Sequence, residues 1–158
     1  MLAPELLAFV PLPIHKNYGF ELPTVPVVAE AEACAEKLAR YRRVALARDL
    51  YDLNQFASRT IDEAVVRRLW VLKVWSDVVD DRRGNKPLDP EDVLRARSDR
   101  DYQPDSIGVL TRPVDLTGWE RQVRTRFAFL RDLDAAERSW AACDERHRRE
   151  IGEAIAGL

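Results

Sequence analysis

Apolar residues recur along the chain in two rhythms, and the change between them falls near residue 29. Before it the apolar runs are short and cut by proline: five of the nine prolines lie at positions 4, 11, 13, 23 and 26. A long helix is excluded there, because proline lacks an N–H and its ring clashes with the preceding turn. The pattern predicts short extended pieces at Leu6 to Val10, Tyr18 to Leu22 and Val25 to Val28. Such strands need helices or further strands to pack on.

From Ala29 onward apolar positions return every three or four residues, the period of a helix buried on one face. Ala33, Leu38 and Tyr41 predict a helix to about Arg43, and Leu46, Leu50, Leu53 and Phe56 predict a second over Ala45 to Ala57. Thr60-Ile61-Asp62-Glu63 has capping-box spacing. It precedes a strongly apolar helix through Leu69, Trp70, Leu72, Val74, Trp75, Val78 and Val79, the candidate centre of the core. A polar loop over Asp80 to Pro87 follows, punctuated by Gly84 and Asn85. Asp89-Pro90 then opens a short helix to about Arg97. Residues 98–114, with Pro104, Gly108 and Pro113, read as irregular. Thr117 caps a helix to Arg131 that turns Trp119, Val123, Phe127 and Leu130 inward, and Asp134 with Glu137 caps a last one through Trp140 and Ile151 towards Ile155. The expected fold is mainly α: a helical bundle of five or six helices over 29–158 behind a short β segment over 1–28.

At 158 residues and 46% hydrophobic, the chain can bury one ordinary core. Its 25 basic and 27 acidic residues nearly cancel, so any surface for nucleic acid has to be local. Cys34 and Cys143 lie far apart without metal-ligand spacing; they give no zinc site and fit a reducing cytoplasm. The apolar run at Leu6 to Val10 is too short to span a membrane and does not read as a signal peptide.

Candidate chemistry is concentrated at Lys37 and at Arg48-Asp49-Leu50-Tyr51-Asp52. On a helix Asp49 and Asp52 lie one turn apart on a shared face, and a hairpin of the first two helices brings Lys37 towards them. Taken as bare residues they leave alternatives open. Lys37 can pair with Glu36 or Asp52, Asp49 with Arg48 or Arg43, and Asp52 with an arginine of the preceding helix. Arg40, Arg42, Arg43 and Arg48 are either a local basic patch for nucleic-acid phosphates or a solvated helix end. The four tryptophans, spaced among aliphatics, read as core. His147 reads as isolated, and the run Asp144 to Glu150 as an exposed helix face with i,i+4 pairs.

Lys37 within Ala35-Glu36-Lys37-Leu38-Ala39, the Arg48-Asp49-x-x-Asp52 motif and the segment Val66 to Trp75 resemble the AbiEii/AbiGii nucleotidyltransferase toxins, a group that includes the mycobacterial MenT toxins. The resemblance covers most of the chain. It implies a nucleotidyltransferase sheet domain, of which 1–28 is a remnant, joined to a helical C-terminal domain. It implies Mg²⁺ and an NTP used to transfer an NMP to the tRNA 3′ end, with a cognate antitoxin as partner. It further implies that Lys37 contacts the triphosphate, that Asp52 is the second-domain acid at the active site, and that Asp49 is an accessory acid or holds an arginine. The family's metal-binding motif, Gly-Ser followed by an acidic pair, lies upstream of the lysine. This sequence has no Gly-Ser pair, and Asp99-x-Asp101 and Asp132-x-Asp134 follow the lysine and read as turn and capping acids. The expectation is therefore the C-terminal part of such an enzyme, without its metal motif, inactive by itself and holding neither Mg²⁺ nor NTP tightly. The alternative is a non-catalytic helical module that binds tRNA, an antitoxin or a partner chain. An exposed strand edge and apolar patch over 6–28 favour a homodimer.

Overall fold

The computed structural model describes residues 2–83, 86–102 and 113–158. The loop readings that rest on Gly84, Asn85, Pro104 and Gly108 lie outside the described residues. Strands β1 (Glu5–Ala8) and β2 (Thr24–Val27) pair antiparallel, with Leu6 opposite Pro26 and Leu7 opposite Val25. Between them the chain departs from the extended reading of Tyr18 to Leu22. Pro13, whose φ is preset for a first helical residue, starts helix α1 (Pro13–Asn17), and Gly19 follows at φ 64. That left-handed value suits a residue without Cβ. The ribbon is tied to helix α2 (Glu30–Arg43): Leu2 N–H donates to Glu32 at 2.9 Å, and Glu30 N–H donates to Glu5 at 3.2 Å.

Helices α2, α3 (Ala47–Ala57) and α4 (Glu63–Val79) form the framework. Helix α2 packs on α4, α3 on α6 (Leu116–Arg126), and α4 on α7 (Ala135–Ala141). Helix α4 buries Val66, Leu69, Trp70, Val71, Leu72, Val74 and Trp75, which lie around most of its circumference; a helix apolar on all sides belongs at the centre of a core. Trp70, Trp75 and Trp140 are buried in one cluster with Phe127, Leu130 and Ile151, and Trp119 meets Tyr51 edge-on with centroids 5.3 Å apart.

Three helix boundaries differ from the sequence pattern. The cap of α4 is Asp62, whose carboxylate accepts from Val65 N–H at 3.1 Å, and not Thr60. Aspartate is the better cap, and this register places Val66, in the core, and half-buried Ile61, packed against it, at the staple positions flanking the cap. Helix α6 begins at Leu116 under Asp115, which accepts from Gly118 N–H at 2.8 Å, and gives way at Phe127 to a 3₁₀ turn over Ala128–Arg131. The helix expected from Asp89-Pro90 to about Arg97 shrinks to α5 (Glu91–Leu94).

The last predicted helix is two. Asp134 and Glu137 cap α7 as their spacing predicts. Cys143 then takes φ 54, Asp144 caps a 3₁₀ turn over Glu145–His147, and α8 (Arg148–Ala156) follows. His147 fastens the break. Its Nε2 accepts from Arg146 Nε at 3.1 Å and lies 3.1 Å from Ser139 Oγ, while Nδ1 lies 3.2 Å from Glu150 Oε2. Trp75 Nε1 donates to the Asp144 carbonyl at 3.2 Å and anchors the same turn to α4. The result is eight α-helices among the described residues instead of five or six. The class is as expected: mainly α, with a short two-stranded N-terminal sheet.

Candidate functional site

The site is built by the α2–α3 hairpin. Val44, at φ −141 and ψ 116, leaves helical geometry and ends α2; Leu46 is extended and precedes α3. So short a connection lays the two helices side by side. Leu50 and Leu53 turn fully inward on α3, which fixes the rotation of the helix and carries the two acids to different depths. Asp49 has no exposed surface, whereas Asp52 keeps 39% of its side chain in solvent.

Lys37 lies between them, its Nζ 2.6 Å from Asp52 Oδ2 and 3.5 Å from Asp49 Oδ1. Arg40, one turn along α2, places Nε 3.0 Å from Asp49 Oδ2, an ion-pair distance whose angle falls outside hydrogen-bond geometry. Two cations on α2 thus face two carboxylates on α3. The buried acid takes both cations at once, and the exposed acid holds the lysine at the shorter distance. Lys37 and Arg40 remain partly open to solvent, at 32% and 39% of their side chains, so both stay available to an anion arriving from outside.

The other arginines are placed differently. Arg42 is buried; it donates to the carbonyls of Lys86 and Pro87 at 3.1 and 3.0 Å and lies 3.5 Å from Asp92. Arg43 donates to Asp77 at 3.0 Å, which removes the Asp49–Arg43 pairing that the sequence left open. Arg42 therefore holds the loop after α4, and Arg43 joins α2 to α4. Arg48 is exposed on α3, and Arg40 joins the Lys37 cluster. Sequence reasoning missed the buried acids Asp77, Asp92 and Glu120, and the burial of Glu137, which it read as a capping residue. Lys73 four residues before Asp77 was a legible signal, and the two lie 3.7 Å apart. Arg67 with Glu137, 2.7 Å apart, are joined only by the tertiary fold.

Asp49 and Asp52 do not fit a divalent cation by themselves. Both already face an ammonium, and among the described residues no three His, Cys, Asp or Glu side chains gather as a metal site. Burial pushes the Cys34 thiol on α2 up to about 12, which keeps it protonated near neutral pH. Burial also raises the phenol of Tyr41, whose hydroxyl lies 3.0 Å from that of Tyr102. Among the described residues no helix is long and apolar enough to cross a membrane.

Fold and site together define a mainly helical domain that carries a β ribbon and presents a lysine held by paired aspartates. The model of the family described as nucleotidyl transferase AbiEii toxin, type IV TA system, matches residues 2–145, and the chain belongs to that family. Among solved structures it is similar to MenT4, nucleotidyltransferase toxin Rv2826c from Mycobacterium tuberculosis H37Rv, with 78% identity and a TM-score of 0.92 over 98% of this chain and 53% of that one. The chain thus spans about half the length of that toxin. Comparison with curated proteins finds no match.

Proposed function

We propose that the chain supplies the helical half of a nucleotidyltransferase toxin, working in the cytoplasm within a toxin–antitoxin system and moving an NMP from an NTP to the 3′ end of tRNA. The observation that carries this reading is Lys37 suspended between Asp49 and Asp52 inside the residues matched by the AbiEii family. When the acceptor hydroxyl attacks the α-phosphorus, the bond to pyrophosphate breaks and negative charge grows on the leaving oxygens. A positioned ammonium stabilises that charge. Lys37 fills this role, with Arg40 as the neighbouring cation. Asp52, the accessible acid, orients the nucleotide or takes the proton of the attacking hydroxyl. Asp49 holds both cations from beneath. Arg40 and Arg48 are the members of the basic run placed to meet RNA phosphates, and a cognate antitoxin is the partner that restrains the assembled toxin.

Two measurements test this. Titration with sodium tripolyphosphate, followed by NMR, is expected to shift the signals of Lys37 and Arg40 and to lose those shifts in Lys37→Ala; shifts confined to other residues would remove Lys37 from the triphosphate site. Incubating the chain with labelled NTPs, Mg²⁺ and total tRNA is expected to leave the RNA unlabelled. Label on the RNA would show that these 158 residues suffice for transfer. A second reading is a non-catalytic helical module that binds tRNA, an antitoxin or a partner chain. It is distinguished by tRNA binding that Lys37→Ala leaves unchanged.

A further inference from the structure

The break between α7 and α8 brings a serine, a histidine and a carboxylate into line. Ser139 lies half-buried in the last turn of α7, and Cys143, at φ 54, turns the chain back so that His147 meets it. His147 Nε2 lies 3.1 Å from Ser139 Oγ, and Nδ1 lies 3.2 Å from Glu150 Oε2. Both distances fall within the reach, about 2.6 to 3.2 Å, at which a base activates a hydroxyl and is itself oriented by a third group. The neighbours fix the tautomer. Arg146 Nε–H donates to Nε2 at 3.1 Å, so Nε2 carries the lone pair and accepts from the Ser139 hydroxyl, while Nδ1–H donates to the Glu150 carboxylate. A histidine held in this way is set to act as a general base towards the hydroxyl. The turn that carries it is anchored: the Asp144 carboxylate accepts from Arg146 N–H at 2.9 Å and lies 3.2 Å from Arg146 Nε, and Trp75 holds the Asp144 carbonyl.

We propose that Ser139 is an activated nucleophile and a site of covalent modification by phosphorus electrophiles, the esters and anhydrides of phosphoric acid. His147 is its base, Glu150 orients that base, and Arg146 is the cation beside the phosphoryl oxygens. In the step, Ser139 Oγ attacks phosphorus, the Oγ–P bond forms and the bond from phosphorus to the leaving group breaks. The hydroxyl proton passes to His147 Nε2 and from there to the departing group. Glu150 and Asp144 face the imidazolium formed in between and the guanidinium next to it, and offset their charge. Arg146 shares the lone pair of Nε2 only until the proton arrives; it is then released beside the reacting phosphorus. Its planar fork of N–H groups matches phosphoryl oxygens, on which negative charge grows as the bond forms, and this favours phosphorus over other electrophiles. The hydroxyl is within reach of a reagent, since Ser139 is only half-buried and His147 and Glu150 keep 15% and 53% of their side chains in solvent. Lys37, Asp49 and Asp52 take no part, so the proposal stands apart from the transfer chemistry.

The test treats the 158-residue chain with an alkyl fluorophosphonate and locates the adduct by peptide mass spectrometry. Fluoride is the leaving group. One adduct is expected, on Ser139 of the folded chain, and none on the denatured chain or on exposed Ser58, whose hydroxyl meets the Asn54 carbonyl and the Gln122 amide instead of a base. Ser139→Ala abolishes the adduct. His147→Gln is expected to slow labelling by about a hundredfold, the lower range of general-base assistance, and Glu150→Gln to slow it several-fold while the helical circular dichroism stays unchanged. In His147→Gly, free imidazole is expected to restore labelling at Ser139, a rescue that a purely structural histidine would not give. Should the substitutions at 147 lose helical signal, Glu150→Gln, at an exposed position, decides. No adduct on Ser139 of the folded wild type, labelling at a rate that folded His147→Gln leaves unchanged, or labelling unchanged in Glu150→Gln where that variant decides, overturns the proposal.

Discussion

Replacing Asp49 by asparagine separates the two acids of the site. The carboxylate is fully buried, 3.5 Å from Lys37 Nζ and 3.0 Å from Arg40 Nε. Asparagine keeps its shape and removes its charge. Breaking a buried pair costs about 3 to 5 kcal/mol when the surviving partner is left as a stranded charge. Here the buried member is the one removed, and both cations retain about a third of their side chains in water. The loss is therefore that of charge-assisted contacts, partly offset by no longer burying a carboxylate, about 1 to 3 kcal/mol. Arg40→Ala does the reverse: it leaves Asp49 buried with one distant ammonium, and about 2 to 4 kcal/mol is expected. The double variant should cost less than the sum by about 1 to 2 kcal/mol, because the two side chains share one interaction. Asp52→Asn breaks a half-exposed pair and should cost no more than about 1 kcal/mol. Urea unfolding followed by tryptophan fluorescence measures all four, with the slope m serving to check that the unfolded state has not changed. An Asp49→Asn variant within about 0.5 kcal/mol of wild type, or an Asp52→Asn variant that loses more than it, would refute the assignment of Asp49 as anchor and Asp52 as the accessible acid.

Other outcomes follow from the same geometry. Asp62→Ala should lower stability by about 1 kcal/mol through the lost cap, while Thr60→Ala changes it little; equal losses in thermal unfolding would return the cap to Thr60. Arg42→Ala should destabilise by about 2 kcal/mol or more in urea unfolding, since it leaves the Lys86 and Pro87 carbonyls without their donor and buried Asp92 with Lys86 as its remaining cation; a loss below about 0.5 kcal/mol would show that this contact does not hold the loop. Cys34 gives a pH signature. Its thiol is raised from 9.0 to about 12 in the folded chain, so the protonated folded form is favoured, the contribution is whole below pH 9, and it drains away as pH climbs to 12. Cys34→Ala should therefore flatten the stability-versus-pH curve between pH 9 and 12, and an unchanged slope would show that the thiol is not the cause. In the native protein at about pH 8, below the range where the thiol ionises, alkylation by iodoacetamide should reach Cys34 only at the rate of unfolding.

Much of the architecture was legible as periodicity. The apolar run from Val66 to Trp75 named the central helix because residues apolar on every side have no stable place except a core, and Asp134 with Glu137 fixed the start of α7 because a capping box is a local device. Cap choices between Thr60 and Asp62, or between Asp115 and Thr117, depended on which register seats the neighbouring apolar residues, and spacing cannot weigh that. The split between α7 and α8 turned on Cys143 in a left-handed conformation and on Trp75 reaching the Asp144 carbonyl, a contact across many intervening residues.

The candidate site divides in the same way. That Asp49 and Asp52 form a pair one turn apart, within reach of Lys37, was already set by their spacing, because helical geometry makes i and i+3 neighbours whatever surrounds them. Packing of the folded chain was needed to bury Asp49 and expose Asp52, to bring Arg40 into the cluster, and to commit Arg42 and Arg43 to Asp92 and Asp77. Burial and long-range ion pairing depend on how helices rotate against one another, and that rotation is set by the whole core rather than by the residues that bear the charge.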